Sequence, residues 1–161
     1  MRYATIKEND IVDGEGVCVS FWTQGCPHKC KGCHNPETWD FKGGIEEKDI
    51  TLLNKIIKLI NKNGVNRNLS ILGGEPLCQE NRKFVATLVR AAKQSFPNIK
   101  IYLWTGYTIS NDFINSDEDL KDICSFVDTI VDGLYIQELR DIRLKLRGSS
   151  NQRILEKGIN F

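Results

Sequence analysis

An α/β fold, with mostly parallel strands in an open or partial barrel, is the class this sequence predicts, and three observations carry it. Short β-branched and aromatic runs alternate with amphipathic helical stretches. Each helical stretch is long enough to serve as a crossover between parallel strands, which such connections join in a right-handed sense. At 161 residues the chain holds too few βα units to close an eight-stranded barrel, which typically takes about 250 residues.

The elements follow in order. Val17 to Trp22 is β-branched and aromatic and reads as the first strand, running into Thr23-Gln24-Gly25. Asp49 to Asn63 carries Leu53, Ile56, Ile57 and Ile60 at helical spacing, with Gly64 as its terminator. Asn68 to Leu72 reads as a short buried strand ending in Gly73-Gly74. Gln79 to Ser95 sets Val85, Leu88, Val89 and Ala92 on one helical face, and Pro97 follows its end. Ile99 to Trp104 is a further strand, stopped at Thr105-Gly106; Asn111 to Phe126 has helical character and leads to the strand Thr129 to Asp132. No repeat, low-complexity tract or linker interrupts the series, so residues 1–161 are expected to form a single domain.

Composition narrows the function classes. With 40% hydrophobic and 27% charged residues the chain is that of an ordinary globular protein. Lys plus Arg number 22 against 21 Asp plus Glu, a balance that gives no reason to expect nucleic acid or a membrane surface as partner. The N-terminus has no signal-like apolar run, so a cytoplasmic location is expected. In that reducing compartment six cysteines speak for metal or catalytic use rather than disulfides. Cys18, Cys78 and Cys124 lie among apolar neighbours and read as small buried hydrophobes.

The other three are different. Cys26, Cys30 and Cys33 form a CxxxCxxC set directly after the first strand. Iron–sulfur clusters usually take four cysteines, so three with no fourth nearby leave one iron open to a substrate. A structural zinc site completed by His28 or His34 is the second reading, since Cys3His is a tetrahedral zinc set. In parallel α/β folds chemistry gathers at the C-terminal ends of the strands, and Gly73-Gly74-Glu75-Pro76 and Thr105-Gly106-Tyr107 both fall there. Glycines at 73 and 74 allow close backbone approach to a small ligand, and Glu75 offers a carboxylate that could receive an ammonium.

Together these motifs resemble the radical S-adenosylmethionine superfamily. That resemblance implies a partial βα barrel, a 4Fe-4S cluster on Cys26, Cys30 and Cys33, and S-adenosylmethionine on the open iron. It also implies that Gly73, Gly74 and Glu75 border the methionine moiety. Where the superfamily often has an aromatic residue before its last cysteine this chain has Gly32, which leaves the adenine to the backbone around Gly32, Cys33 and His34. Asp13-Gly14-Glu15-Gly16, the segment Gly25 to Cys30 and the segment Cys33 to Trp39 resemble the glycyl-radical activating enzymes. Val131-Asp132-Gly133-Leu134-Tyr135 and Arg147-Gly148-Ser149-Ser150-Asn151-Gln152-Arg153 resemble the family that activates anaerobic ribonucleoside-triphosphate reductase. The likeness runs from about Tyr3 to Ile154.

What the resemblance implies is reductive cleavage of S-adenosylmethionine to a 5′-deoxyadenosyl radical, which takes a hydrogen atom from a glycine Cα. The implied partners are the reductase, as a protein substrate, and an external one-electron reductant. Activation of another glycyl-radical enzyme is a related alternative, and a non-catalytic zinc-binding interaction module is one of another class. Asp13 reads either as a contact for the incoming glycine loop or as an Asp-Gly turn. Trp39 and Phe41 read as a cover for the cluster or as core. Arg140, Arg143, Lys145, Arg147 and Arg153 read as a solvated basic face in preference to a contact for the reductase or a nucleotide, the segment Arg147 to Arg153 as one that closes the site or meets the partner, and Asp117 to Asp119 as a helix start.

Overall fold

Strand alternation decides the architecture, because successive side chains on a strand point to opposite faces. The computed structural model describes residues 1–161. Its strands are β1 (Arg2–Asp10), β2 (Cys18–Thr23), β3 (Ile45–Glu46), β4 (Asn68–Gly73), β5 (Ile101–Trp104), β6 (Thr129–Asp132) and β7 (Arg153–Glu156). Its helices are α1 (Asp49–Ile60), α2 (Gln79–Ser95), α3 (Asn111–Asn115) and α4 (Glu118–Phe126). All seven strands join one sheet in the order β3-β1-β2-β4-β5-β6-β7. β2, β4, β5 and β6 pair in parallel, while β1 lies antiparallel to β2 and β3, and β7 antiparallel to β6.

One face of this sheet is closed. Val19, Phe21, Leu69, Ile71, Ile101, Leu103 and Ile130 alternate onto it and are fully buried. They share one continuous core with Leu52, Ile56 and Ile60 of α1, Phe84, Val85, Leu88 and Val89 of α2, and Leu120 and Ile123 of α4. The other face carries a lateral row set by register, Ser20, Ser70, Tyr102, Thr129 and Glu156. Above that row, toward the strands' C-terminal ends, stand Trp22, Leu72 and Trp104. Two loops cover this face. In the β1–β2 loop, Gly14 lies so close to the sheet that a Cβ there would stand 2.8 Å from Cys18 Sγ, and its φ is +131°. The segment after β6 is held by Trp104 Nε1 donating to the Leu146 carbonyl at 2.8 Å.

The parallel strands and the helices α1 and α2 stand where the sequence places them, α2 and β6 with the same bounds and the others with ends shifted by at most three residues. Three differences have physical causes. β1 has no strand signature in the sequence because it is an edge-side strand in which Thr5, Lys7 and Asn9 are polar and exposed, leaving only Tyr3 and Asp10 buried. The helical stretch 111–126 is two helices, each with its own N-cap: Ser110 accepts from Phe113 N, and Asp117 from Asp119 N and Leu120 N. α1 stops at Ile60 because Asn63 takes a left-handed φ of +57° ahead of Gly64. Cys18, Cys78 and Cys124 are buried free thiols, and burial pushes the last two up to about 12 and about 11.

Candidate cluster and cofactor site

The C-terminal ends of β2, β4, β5 and β6 deliver four loops to one cavity of about 480 Å³. Cys26, Cys30, Cys33, His34, Gly73, Gly74, Glu75 and Asp13, all singled out from the sequence, line it. Gly32, the remaining one, is exposed at the tip of the cysteine loop with φ +73°.

The cysteine loop is braced from within. Gly25 N donates to Thr38 O (2.8 Å) and Cys26 N to Trp39 O (3.2 Å), closing the loop at its base. Gln24 Nε2 donates to the carbonyls of Glu37 (2.9 Å) and Asp40 (2.8 Å). Trp39 lines the cavity, whereas Phe41 packs against Gly25 and is partly exposed. Burial pushes the Cys26 thiol up, opposed by the amides of His28 and Lys29; burial likewise raises Cys30. The Cys33 sulfur accepts from Asn35 N at 3.4 Å. Three soft sulfur donors on one wall, beside amides and a cavity of small-molecule size, fit an iron–sulfur cluster. Their side chains do not already converge as a ligand set.

Glu75 is the best-held carboxylate in the molecule. Oε1 accepts from Leu77 N (2.9 Å) and Thr105 Oγ1 (2.7 Å), and Oε2 from Gly106 N (2.7 Å) and His28 Nε2 (2.8 Å), with the residue 1% exposed. It ties the β4, β5 and cysteine loops together. Because His28 spends Nε2 on this bond, that nitrogen is not available to complete a Cys3His set. Gly74, next to Glu75, has a carbonyl that accepts no hydrogen bond within the chain. The two glycines also meet a demand internal to the fold. A Cβ on Gly74 would stand 2.4 Å from the Gly25 carbonyl, and one on Gly73 2.8 Å from Thr23 N, so β4's exit can cross the cysteine strand only without side chains.

Asn81 and Asp10 carried no sequence signal of a place in the site, and Tyr135 carried only the family-like motif that it ends. Asn81 on α2, 3% exposed, donates through Nδ2 to the carbonyls of Gln24 (3.0 Å) and Glu75 (2.9 Å). Tyr135 stacks at a tilt on His34, ring centres 5.1 Å apart. Asp10 shapes the Asp13 turn: Oδ1 accepts from Val12 N (2.9 Å) and Asp13 N (3.2 Å), and Oδ2 from Ser20 Oγ (2.8 Å). Burial, then the neighbouring Asp10 charge, pushes the Asp13 carboxyl up to about 6. Only buried partners mark Asn81 and Asp10, and burial is not written in composition.

The 147–153 segment lies at the cavity, and Arg147 and Arg153 in it are not part of a solvated basic face. Gln152 Oε1 accepts from Gly148 N (2.9 Å) and Ser149 N (3.1 Å), and its Nε2 donates to Gly133 O (2.9 Å). Asn151 Nδ2 donates to Leu134 O (2.8 Å), and Arg153 grips Asp132 at the end of β6. The motif is therefore a staple that fastens the covering segment to the cavity rim, and Arg147 lines the cavity itself. Arg143 and Lys145 do lie on the surface, paired with Asp141 and Glu15.

The comparisons with known proteins agree with this layout. The profile of a family described as "4Fe-4S single cluster domain" matches residues 12–155. A protein of Vibrio cholerae is 36% identical over 153 residues, covering 94% of this chain and 96% of its own. One of Enterobacteria phage T4 is 35% identical over 156 residues (96% and 93%), and one of Escherichia coli K12 33% over 153 (94% and 96%). Each of the three is named anaerobic ribonucleoside-triphosphate reductase-activating protein. The chain belongs to this activating-protein family. Family membership accounts for the tail motif as well as the cysteines, since the matched region runs through both. No helix is long and apolar enough to cross a membrane.

Proposed function

We propose that the chain, acting as a single cytoplasmic domain, activates an anaerobic ribonucleoside-triphosphate reductase by generating its glycyl radical. The observation that carries this reading is the meeting of the three cysteines and the Gly73-Gly74-Glu75 turn on one cavity at the ends of parallel strands. The open sheet, helices on one face and cavity on the other, is then the partial βα barrel of the radical S-adenosylmethionine type. Cys26, Cys30 and Cys33 would hold a 4Fe-4S cluster. Bound there and reduced by an external one-electron donor, such a cluster supplies the electron that cleaves S-adenosylmethionine to methionine and a hydrogen-abstracting 5′-deoxyadenosyl radical.

The chain's own residues supply binding, orientation and exclusion of water. The free carbonyl of Gly74 is an acceptor for the ligand's ammonium, a role the saturated Glu75 carboxylate leaves to it. Glu75 instead fixes the turn from behind, through Thr105, Gly106 and His28. Backbone around Gly32, Cys33 and His34 borders the adenine. Asp13, at the rim beside exposed Ile11 and Val12, is placed to meet the partner's glycine loop. Trp22, Trp39, Trp104 and Leu72 give the cavity apolar walls that keep water from a reactive radical.

The test is low-temperature paramagnetic resonance on anaerobically reconstituted, reduced protein. A 4Fe-4S signal that changes shape on adding S-adenosylmethionine, followed by a glycyl signal when the reductase is present, is the expected result. A colourless protein holding one tight zinc would overturn the reading in favour of an interaction module.

A further inference from the structure

We propose that Arg147 is the anchor for the carboxylate of the bound sulfonium amino acid, an assignment that rests on the function proposed above. Among the residues lining the cavity, the ionisable side chains other than thiols and Tyr135 are Asp13, Glu75, His28, His34 and Arg147. Arg147 is the one permanent cation in that set. No carboxylate stands within ion-pair distance of it, although nearly every other well-placed arginine here has one, among them Arg67, Arg82, Arg90, Arg143 and Arg153.

The guanidinium is oriented without being satisfied. Nη1 donates to the Gln152 carbonyl at 3.1 Å, while Nε is buried and has no partner. Nη2 makes no hydrogen bond within the chain and, unlike Nε, is open to solvent, so it is the donor that a ligand acceptor in the cavity can reach. The scaffold around it is rigid. Gln152 is itself held by Gly148 N, Ser149 N and Gly133 O. The preceding residue, Leu146, has φ +58° and is pinned through its carbonyl to Trp104 Nε1. An L-residue in that backbone region is costly without such support, and the turn it makes delivers Arg147 to the cavity.

Charge matching identifies the group received. S-adenosylmethionine has two cationic centres, sulfonium and ammonium, and one anionic group, the α-carboxylate. Adenine and ribose are neutral. The free Gly74 carbonyl suits the ammonium, and the cavity's one permanent cation is left for the one anion, where a guanidinium offers a bidentate, charge-assisted pair.

The measurement is anaerobic equilibrium binding to cluster-loaded protein of two ligands, S-adenosylmethionine and its decarboxylated analogue, which lacks only the carboxylate. Arg147→Gln is expected to weaken S-adenosylmethionine by about 10- to 100-fold while shifting the analogue less than about threefold. Arg147→Lys, which keeps the charge and loses the fork, is expected to restore part of the difference. Equal weakening of both ligands would make Arg147 a structural strut, and no change in either would assign it elsewhere; both overturn the proposal. If Arg147→Gln does not fold, Arg147→Lys with the same two ligands decides it by the same criterion. Wild-type protein that binds neither ligand would overturn the functional reading beneath the proposal, a result distinct from binding both equally well before and after substitution.

Discussion

The two faces of the sheet are made by the same strands, yet they are different materials. On the helix face, residues such as Phe21, Ile71 and Leu103 are fully buried and apolar, packed as one core. On the cavity face the same strands present Ser20, Ser70, Tyr102 and Trp104, covered by two irregular loops fixed through hydrogen bonds rather than packing. The difference separates stability from chemistry. The core face determines whether the sheet exists, and the loops on the opposite face determine what it binds.

Substitutions on the two sides should therefore fail in opposite ways. Cys30→Ala is expected to have the largest functional effect, abolishing reductase activation and the 4Fe-4S signal while leaving the urea midpoint of metal-free protein unchanged. Phe21→Ala is its counterpart: fully buried and packed at a tilt against Tyr3 and Phe84, it should cost about 3–5 kcal/mol of unfolding free energy. At low temperature the folded fraction of that variant should still assemble a cluster. If Cys30→Ala unfolded the protein, or Phe21→Ala abolished cluster assembly in folded molecules, the two faces would not be separable.

Glu75→Gln tests the seam between them. The side chain belongs to the cavity but is buried and joins three loops, so it should affect both properties by less. An amide in place of the carboxylate turns one acceptor into a donor facing Gly106 N and His28, or Leu77 N and Thr105. A loss of about 1–3 kcal/mol is expected, with weaker binding of S-adenosylmethionine that follows from the displaced loops. An unchanged urea midpoint would show that the four bonds contribute nothing to the seam.

The same division governs what could be read from the sequence. The parallel strands and helices were legible because the helix face leaves a period: Leu53, Ile56, Ile57 and Ile60 recur at helical spacing, and Val19, Phe21, Ile71 and Leu103 lie in β-branched or aromatic runs. The cysteines and the Gly73-Gly74-Glu75 turn were legible as chemistry at fixed spacing, and the structure adds that both glycines are also required by the crossing with Thr23 and Gly25. β1 was not legible, since an edge-side strand with Thr5, Lys7 and Asn9 exposed has little apolar signature. The segment 147–153 was legible as a motif but not as a staple, because Gln152, Asn151 and Arg153 act through hydrogen bonds to backbone and to Asp132, and such bonds have no periodicity. Arg147 illustrates the limit: in sequence it is one of several basic residues, and only its placement at the cavity separates it from Arg143 on the surface.

The smallest effect expected lies where the cavity face gives up stability. Burial and the Asp10 charge raise Asp13 to about 6, above the roughly 3.9 of an unfolded aspartate. Between those values the native state binds more protons than the unfolded state, so this residue makes the protein less stable as pH rises from about 4 to about 6. Asp10 runs the other way: burial raises it, but the amides of Val12 and Asp13 and the Ser20 hydroxyl outweigh that and hold it low. Its contribution is present above its unfolded pKa and lost as pH falls through the lower folded value. Asp13→Asn removes the first effect and keeps the backbone and Ser20 bonds that hold Asp10 low. The variant should match wild type near pH 4 and exceed it by about 1 kcal/mol above pH 6, a figure reduced for the screening of a partly exposed carboxyl. Urea unfolding of the pair across pH 4 to 7.5 measures this, and a difference that stays constant with pH would mean that Asp13 ionises as freely in the folded loop as in the open chain. A pH-dependent gain would instead identify Asp13 as a carboxylate kept at the rim against its effect on stability, beside the cavity that the partner's loop must enter.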